Sequence, residues 1–349
     1  MSMIRFQENP LIRPADVKPS RDDVEVVCAF NCGCASFDGG IILLLRVAER
    51  PVHGPHEVVA PILHPDDLGR GLHFLRVDRQ DPAFEDIDPR VFRYQGRTYL
   101  TSISHLRLAR SADGRNFRVD DAPTLFPLLR AEEFGTEDPR ITRIEDSYYI
   151  NYSAVSRWGV ATALAETRDF KTFERRGIIF APDNRDVTIF PERIGGRYLC
   201  HHRPMAAMFG RQDIWLAEST DLLHWGNHRF VCACRPGAWD AHKVGGGAVP
   251  IRTERGWLSI YHGADESQRY CLGALLTDLE EPDKVLGRST QPVLAPEADY
   301  ERAGFFGNVV FSCGAIAQDD GRVIVYYGSS DEHTCAAETT VDDLLAKLD

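Results

Sequence analysis

Three stretches decide the architecture: LARSADGRNF at 108–117, LAETRDFKTF at 164–173 and LAESTDLLHW at 216–225. Aligned on their aspartates, they place Asp113, Asp169 and Asp221 two residues after Ser111, Thr167 and Ser219, and four before Phe117, Phe173 and Trp225. The same register three times over marks an internal repeat. Each aspartate follows a hydroxyl residue at a strand end, a pattern that caps an outer turn and binds nothing. Upstream, units open on a proline and an apolar run at Pro89 (DPRVF), Pro139 (DPRIT), Pro191 (FPERI) and Pro250 (AVPIR), spaced 50, 52 and 59 residues apart. A polar turn (YQGR, IEDS, IGGR, TERG) then leads to an aromatic strand (TYLTSI, SYYINY, RYLCHH, GWLSIY), which is a hairpin pattern. Weaker copies flank these, NCGCASFDGGIILLLRV near the N-terminus and SCGAIAQDDGRVIVYYG near the C-terminus.

Units of roughly 40 to 60 residues with about four antiparallel strands each predict an all-β protein of the propeller type, where radial packing protects strand edges. Nothing reads as a linker, so one propeller domain spans 1–349. The six unit starts leave five or six blades open, because terminal segments can share a closing blade. Helix signals are nearly absent; the terminal VDDLLAKLD, with Val341, Leu344, Leu345 and Leu348 on one face, predicts a short C-terminal helix. Residues 52–86 read as a long insertion rich in His, Pro and Asp, and long loops of this kind commonly carry function.

Lys plus Arg number 40 against 52 Asp plus Glu, a formal charge of −12, which argues against a general nucleic-acid binder. With 43% apolar and 26% charged residues the chain is of ordinary globular composition. Its longest aliphatic run, Ile41 to Leu45, is far short of the roughly 20 residues of a membrane helix. The N-terminal MSMIRFQENPLIRP lacks a signal-peptide core, so a cytoplasmic location is expected. Nine scattered cysteines are expected to be free thiols. Cys32 with Cys34 and Cys232 with Cys234 are CxC pairs rather than CxxC knuckles, and His53, His56, His64 and His73 match no ligand motif, so no metal is expected.

In a propeller, equivalent positions on the innermost strands converge on the axis. Read this way, Asp88 and Arg90, Asp138 and Arg140, and Glu192 and Arg193 become neighbours, joined by Asn31 and Asn308. For one unit, an Asp-Pro turn with its Arg paired to a nearby carboxylate would suffice; recurrence around one axis favours a shared site.

At this point the chain resembles glycoside hydrolase family 130, the inverting β-mannoside phosphorylases and related mannosidases. The resemblance is carried by FGTEDPRI (134–141), SHLRLARSADG (104–114), FPERIGGRYLCHHRP (190–204), GWLSIYHG (256–263), LEEPDKVLGRS (279–289) and NVVFSCGAI (308–316). It implies a five-bladed propeller and an inverting phosphorylase that cleaves a terminal β-mannoside with inorganic phosphate to give α-mannose 1-phosphate. It also implies that Asp138 is the general acid, delivering its proton through a mannose hydroxyl. Arg185, Arg203 and His262 would bind phosphate, a task suited to planar arginine forks and histidine donors. Asn31, Arg90, Lys243, Tyr270 and Asp331 would surround the sugar. Linkage stays open between β-1,2-mannobiose or oligomannan and β-1,4-mannosyl-glucose or N-acetylglucosamine. No cofactor is implied, phosphate being a co-substrate, and a symmetric oligomer is permitted.

The sequence departs from the family pattern in FNCGCA at 30–35, where a proline usually follows the asparagine, and in His201 before HRP. The long insertion and DEHTC (331–335) are expected to shape the acceptor subsite, while Tyr152, Trp158 and Trp239 are candidates for stacking on sugar rings. Two rival readings are an exo-β-mannosidase with Glu192 or Glu266 as base, since inverting hydrolysis needs a second carboxylate, and a catalytically silent carbohydrate-binding propeller.

Overall fold

Leu43, Leu44 and Leu45 are consecutive on one strand and all fully buried. Side chains alternate across a strand, so both faces of that sheet must be covered. In the computed structural model, which describes residues 3–64, 71–206 and 208–349, this is what happens. Ile42 and Leu44 join Tyr148, Ile150 and Tyr152 on one side, while Leu43, Leu45 and Val47 join Ile324, Tyr326 and Ala336 on the other. Truncating Leu44 to alanine would cost about 2–5 kcal/mol.

The chain lays down sheets in sequence. The first contains Val24–Phe37, Gly40–Pro51 and Ile103–Ser111, with Arg118–Val119 at its edge. The second contains Gly135–Ile144, Ser147–Ser156, Gly159–Thr167 and Glu174–Phe180. The third holds Asn184–Ile189, Tyr198–Pro204, Ile214–Ser219 and Trp225–Cys232; the fourth Lys243–Gly246, Gly256–Ala264, Tyr270–Thr277 and Val285–Arg288, with Ile251–Thr253 beside the second of these. The fifth holds Val310–Ala317, Arg322–Ser329 and His333–Thr340, and takes its outer strand from the N-terminus, Ile4 pairing with Glu338. A single parallel pairing, Gly135 with Ser104, ties the first sheet to the second. Apolar clusters fill each interface in turn. Leu164 and Val187 meet between second and third, Phe190 and Trp257 between third and fourth, Leu272 and Val325 between fourth and fifth, and the fifth packs back on the first.

Three repeated aspartates do what the sequence suggests. Asp113 accepts from the backbone N–H of Arg115 and Asn116, Asp169 from Lys171 and Thr172, and Asp221 from Leu223 and His224, all at 2.8–2.9 Å. The α-helices among the described residues are short, Asp299–Arg302 and Val341–Leu345. Thr340 caps the latter by accepting from Asp343 N, and Leu344 and Leu345 are buried. No helix among the described residues is long and apolar enough to cross a membrane.

The insertion is longer than expected. It separates Gly40–Pro51 from Ile103–Ser111 and folds as a hairpin, Glu57–Leu63 with Leu72–Asp78, followed by a small sheet of Phe84–Asp88, Val91–Tyr94 and Arg97–Leu100. Pro89 therefore opens no unit equivalent to the others. Asp88 and Val91 are paired across a hairpin turn, and Asp88 Oδ1 accepts from Arg90 N at 2.8 Å and Nε at 3.2 Å. Local hydrogen bonding explains the DPR there.

Candidate active site

The first strands of three sheets carry the same defect. In Val24–Phe37 the pairing jumps from Phe30 to Gly33, in Gly135–Ile144 from Glu137 to Arg140, and in Asn184–Ile189 from Arg185 to Thr188. Two residues thus oppose one, which is a β-bulge, a device that re-aims side chains beside active sites. The leading residue of each bulge is Asn31 (φ 44), Asp138 (φ 50) and Asp186 (φ 55). A left-handed backbone costs a non-glycine residue roughly 1–2 kcal/mol, and here it is spent three times to turn a polar group inward.

These groups meet in a pocket of about 290 Å³. Asp138 Oδ1 accepts from Asn31 Nδ2 at 3.0 Å and from Arg46 Nη1 at 3.1 Å. Arg46 also donates to Glu137 Oε1 at 2.7 Å, with its guanidinium over the Phe30 ring. Asp186 gathers cations: Arg203 Nε at 2.7 Å and Nη2 at 2.6 Å, Arg140 Nη2 at 3.2 Å and His262 Nε2 at 3.2 Å. Burial pushes its carboxyl up, but Arg203, His262 and Arg140 outweigh this and hold it well below the usual range. Asp186 can approach His262 only because residue 245 is glycine; a Cβ there would lie 2.4 Å from Asp186 Oδ2 and 2.6 Å from the His262 ring.

Arg203 Nη1 is held by Gln212 Oε1. Arg185 lies 3.9 Å from Glu137, and its Nε, although buried, has no hydrogen-bond partner. Lys243 Nζ donates to Tyr270 Oη at 2.6 Å; burial, then the Arg203 charge, lowers Lys243 to about 8, and Tyr270 is pushed up to about 12, mainly by burial. At the other wall Asp331 faces Arg90 at 3.7 Å. Burial raises it to about 6; Arg46 and Arg90 oppose the shift, and the carboxylates of Asp138 and Glu137 add to it. Val91 and Leu100 of the insertion and Phe305 and Phe306 add apolar lining, and the Arg90 guanidinium sits over the Phe306 ring at 4.1 Å.

The structure brings Asn31, Arg90, Asp138, Arg185, Arg203, His262, Tyr270 and Asp331 into one pocket, with Lys243 joined to it through Tyr270. Some expectations fail. Glu192 and Arg193 are exposed in the turn after Asn184–Ile189, Glu192 pairing with Arg252, so they are not axial; the bulge at Asp186 sets the true register. Glu266 is also exposed and pairs with His242. Tyr152 is buried and donates to Glu132, and neither Trp158 nor Trp239 lines the pocket; its aromatic side chains are Phe30, Tyr270, Phe305, Phe306 and Phe311. His53, His56, His64 and His73 lie outside it. His201 is buried against Pro282 O, and burial lowers it to about 4.

Arg46, Asp186 and the glycines were missed by the sequence reading. A lone Arg after IILLL and the run Gly245 to Gly247 were the available signals, the first of a buried charge and the second of close backbone approach.

Consecutive sheets thus bring bulge-borne carboxylates and a group of arginines into one pocket. The family model described as beta-1,4-mannooligosaccharide phosphorylase matches residues 81–349, and the chain belongs to glycoside hydrolase family 130. It is 48% identical to the beta-1,2-mannobiose phosphorylase of Listeria innocua serovar 6a, over 100% of this chain and 99% of that one. It is 40% identical to the 1,2-beta-oligomannan phosphorylase of Thermoanaerobacter sp., over 67% of this chain and 77% of the relative. The solved structure of beta-1,2-mannobiose phosphorylase from Listeria innocua in its beta-1,2-mannobiose complex superimposes with a TM-score of 0.95 at 47% identity, covering 100% and 99% of the two chains.

Proposed function

We propose that this chain is a cytoplasmic, inverting phosphorylase of terminal β-1,2-linked mannosides, mannobiose or short oligomannan, built as one five-bladed β-propeller domain. The observation that carries the reading is the meeting of Arg185, Arg203 and His262 with Asp138 in one pocket. Phosphate is an anionic nucleophile already, so it needs orientation and charge neutralisation rather than a base. The five consecutive sheets, the last packed on the first, support the blade count. Full-length similarity to a beta-1,2-mannobiose phosphorylase supports the linkage. Nine unpaired, buried cysteines suit a reducing compartment.

In this scheme a phosphate oxygen held by Arg185, Arg203 and His262 attacks the anomeric carbon in line. The glycosidic bond breaks with its electron pair moving to the leaving oxygen, which takes a proton that originates on Asp138 and is relayed through a mannose hydroxyl. Asn31 and Arg46 both bond Oδ1 of Asp138, which leaves Oδ2 for that proton. Asn31, Arg90, Lys243, Tyr270 and Asp331 surround the mannose. The products are α-mannose 1-phosphate and a sugar shortened by one unit; no cofactor enters.

The test incubates purified protein with β-1,2- and β-1,4-mannobiose and β-mannosyl-N-acetylglucosamine, with and without phosphate, and measures mannose 1-phosphate and free mannose separately. Mannose 1-phosphate is expected from the β-1,2 substrate only when phosphate is present. Free mannose at equal rate in both conditions would make the protein a hydrolase and refute the phosphate assignment.

A further inference from the structure

Outside the pocket, one buried charge cluster has no role in this scheme. Asp240 is fully buried and accepts from Arg235 Nε (3.0 Å) and Nη2 (2.8 Å), Arg288 Nη2 (2.6 Å) and Tyr261 Oη (2.9 Å). Its neighbour Trp239 lies against the Tyr261 ring at 5.5 Å, and the Arg288 guanidinium covers Tyr261 at 5.0 Å. Two glycines make room for this pair. A Cβ on Gly263 would lie 2.4 Å from Asp240 Cβ and 2.8 Å from the Trp239 ring, and one on Gly273 would lie 2.7 Å from that ring. Trp239 and Asp240 are therefore a plug seated in a socket cut into two adjacent strands, Gly256–Ala264 and Tyr270–Thr277.

Those strands carry His262, next to both Tyr261 and Gly263, and Tyr270, while the plug itself leads in three residues to Lys243. Lys243 then pairs across to Ala264 and donates to Tyr270. One buried carboxylate thus stands at the junction of the segments that bear three pocket groups, yet it touches none of them. Beyond Asp186 at 3.2 Å from Nε2, His262 has little of its own to hold it: Nδ1 has no hydrogen-bond partner, and its ring rests on Phe311 at 4.4 Å.

We propose that Trp239 and Asp240 are positioning residues for the phosphate side of the site, fixing His262 through Tyr261 and the glycine socket. The proposal rests on the phosphorolysis reading above. It assigns the plug to phosphate rather than to the mannoside, because Asn31, Asp138, Arg90 and Asp331 belong to other segments with contacts of their own, and Lys243 and Tyr270 are held by their bond to each other.

The test compares wild type with Tyr261→Phe, Asp240→Asn and Gly263→Ala, none of which alters a pocket group, in initial-rate assays varying phosphate and β-1,2-mannobiose separately. Misplacement of a reactive group by about 1 Å can cost on the order of 100-fold, so KM for phosphate is expected to rise about 3–10-fold in Tyr261→Phe and about 30-fold or more in the other two, with KM for mannobiose within about twofold. Thermal unfolding is followed in parallel. Variants that unfold earlier but keep the wild-type ratio of the two KM values would show a purely structural plug and overturn the proposal. If Asp240→Asn fails to fold, Tyr261→Phe, which loses one hydroxyl, still decides. A wild type that needs no phosphate would instead bring down the phosphorylase reading, and this proposal with it.

Discussion

Replacing Arg203 with alanine probes the site where fold and chemistry meet. The guanidinium makes two close contacts with Asp186 and a third with Gln212, and is almost completely buried. As a phosphate ligand it would contribute two charge-assisted hydrogen bonds, each about 1.5–3 kcal/mol. Their loss, about 3–6 kcal/mol, lowers kcat/KM for phosphate by about 10² to 10⁴ at about 1.4 kcal/mol per decade. The stability cost is smaller than for an isolated buried pair, about 3–5 kcal/mol, because Arg140 and His262 remain at 3.2 Å from Asp186. The protein should therefore stay folded while turnover collapses. Initial rates of mannose 1-phosphate release against phosphate concentration, with urea unfolding alongside, check both halves. An Arg203→Ala variant within tenfold of wild type in kcat/KM for phosphate would refute the assignment. Arg203→Lys, which keeps the charge and loses the planar fork, should recover only part of the loss.

Three further outcomes follow from the same geometry. Burial and then Arg203 lower Lys243 to about 8, so kcat/KM for the mannoside should fall about tenfold per unit above that pH, and Lys243→Arg should move this limb upward; a flat profile to pH 9.5 would remove Lys243 from the site. Asp331 is raised from 3.8 to about 6, so it contributes stability that is fully present below pH 3.8 and lost as pH rises through 6. That contribution is at most about 3 kcal/mol, so Asp331→Asn should gain stability relative to wild type between pH 4 and pH 7.5 in urea unfolding, while losing activity. Burial raises the thiols, Cys232 and Cys271 to about 11 and Cys335 to about 12, so a thiol reagent at pH 7.5 should react with all nine only after unfolding.

How much of this was legible depends on where the repeats carry local chemistry. The turn aspartates could be read because a Ser or Thr two residues earlier and backbone N–H groups two and three residues later form a motif closed within a few positions. The C-terminal helix was legible for a similar reason, a four-residue apolar spacing with a threonine before it. Sheet membership of DPR at 88–90 was not. The same tripeptide at 138–140 spans a bulge and at 88–90 a hairpin turn, and only the partner strand distinguishes them. Proline marked both places because it disfavours helix and supplies no N–H, a property shared by turns and bulges.

The bulges also explain why the axial residues were partly misassigned. Each one adds a residue to its strand, and so shifts everything beyond it by one side-chain face. Pro139 lies within the bulge of its strand whereas Pro191 follows the end of Asn184–Ile189, so counting between the prolines carries Asp138 to Phe190 and Arg140 to Glu192, whereas counting from bulge to bulge carries Asp138 to Asp186, 48 residues on. The two residues then diverge chemically. Asp138 faces Asn31 and one arginine and keeps an oxygen available, while Asp186 is saturated by two arginines and a histidine. A common backbone device thus yields a proton donor in one sheet and an organiser of cations in the next. This division of labour can be checked: Asp186→Asn should impair phosphate binding by disordering Arg203 and His262, and Asp138→Asn should leave phosphate binding intact while lowering kcat by about 10² to 10⁴. Phosphate titration followed by calorimetry separates them, and equal phosphate affinity in the two variants would show that the bulges do not divide the work in this way.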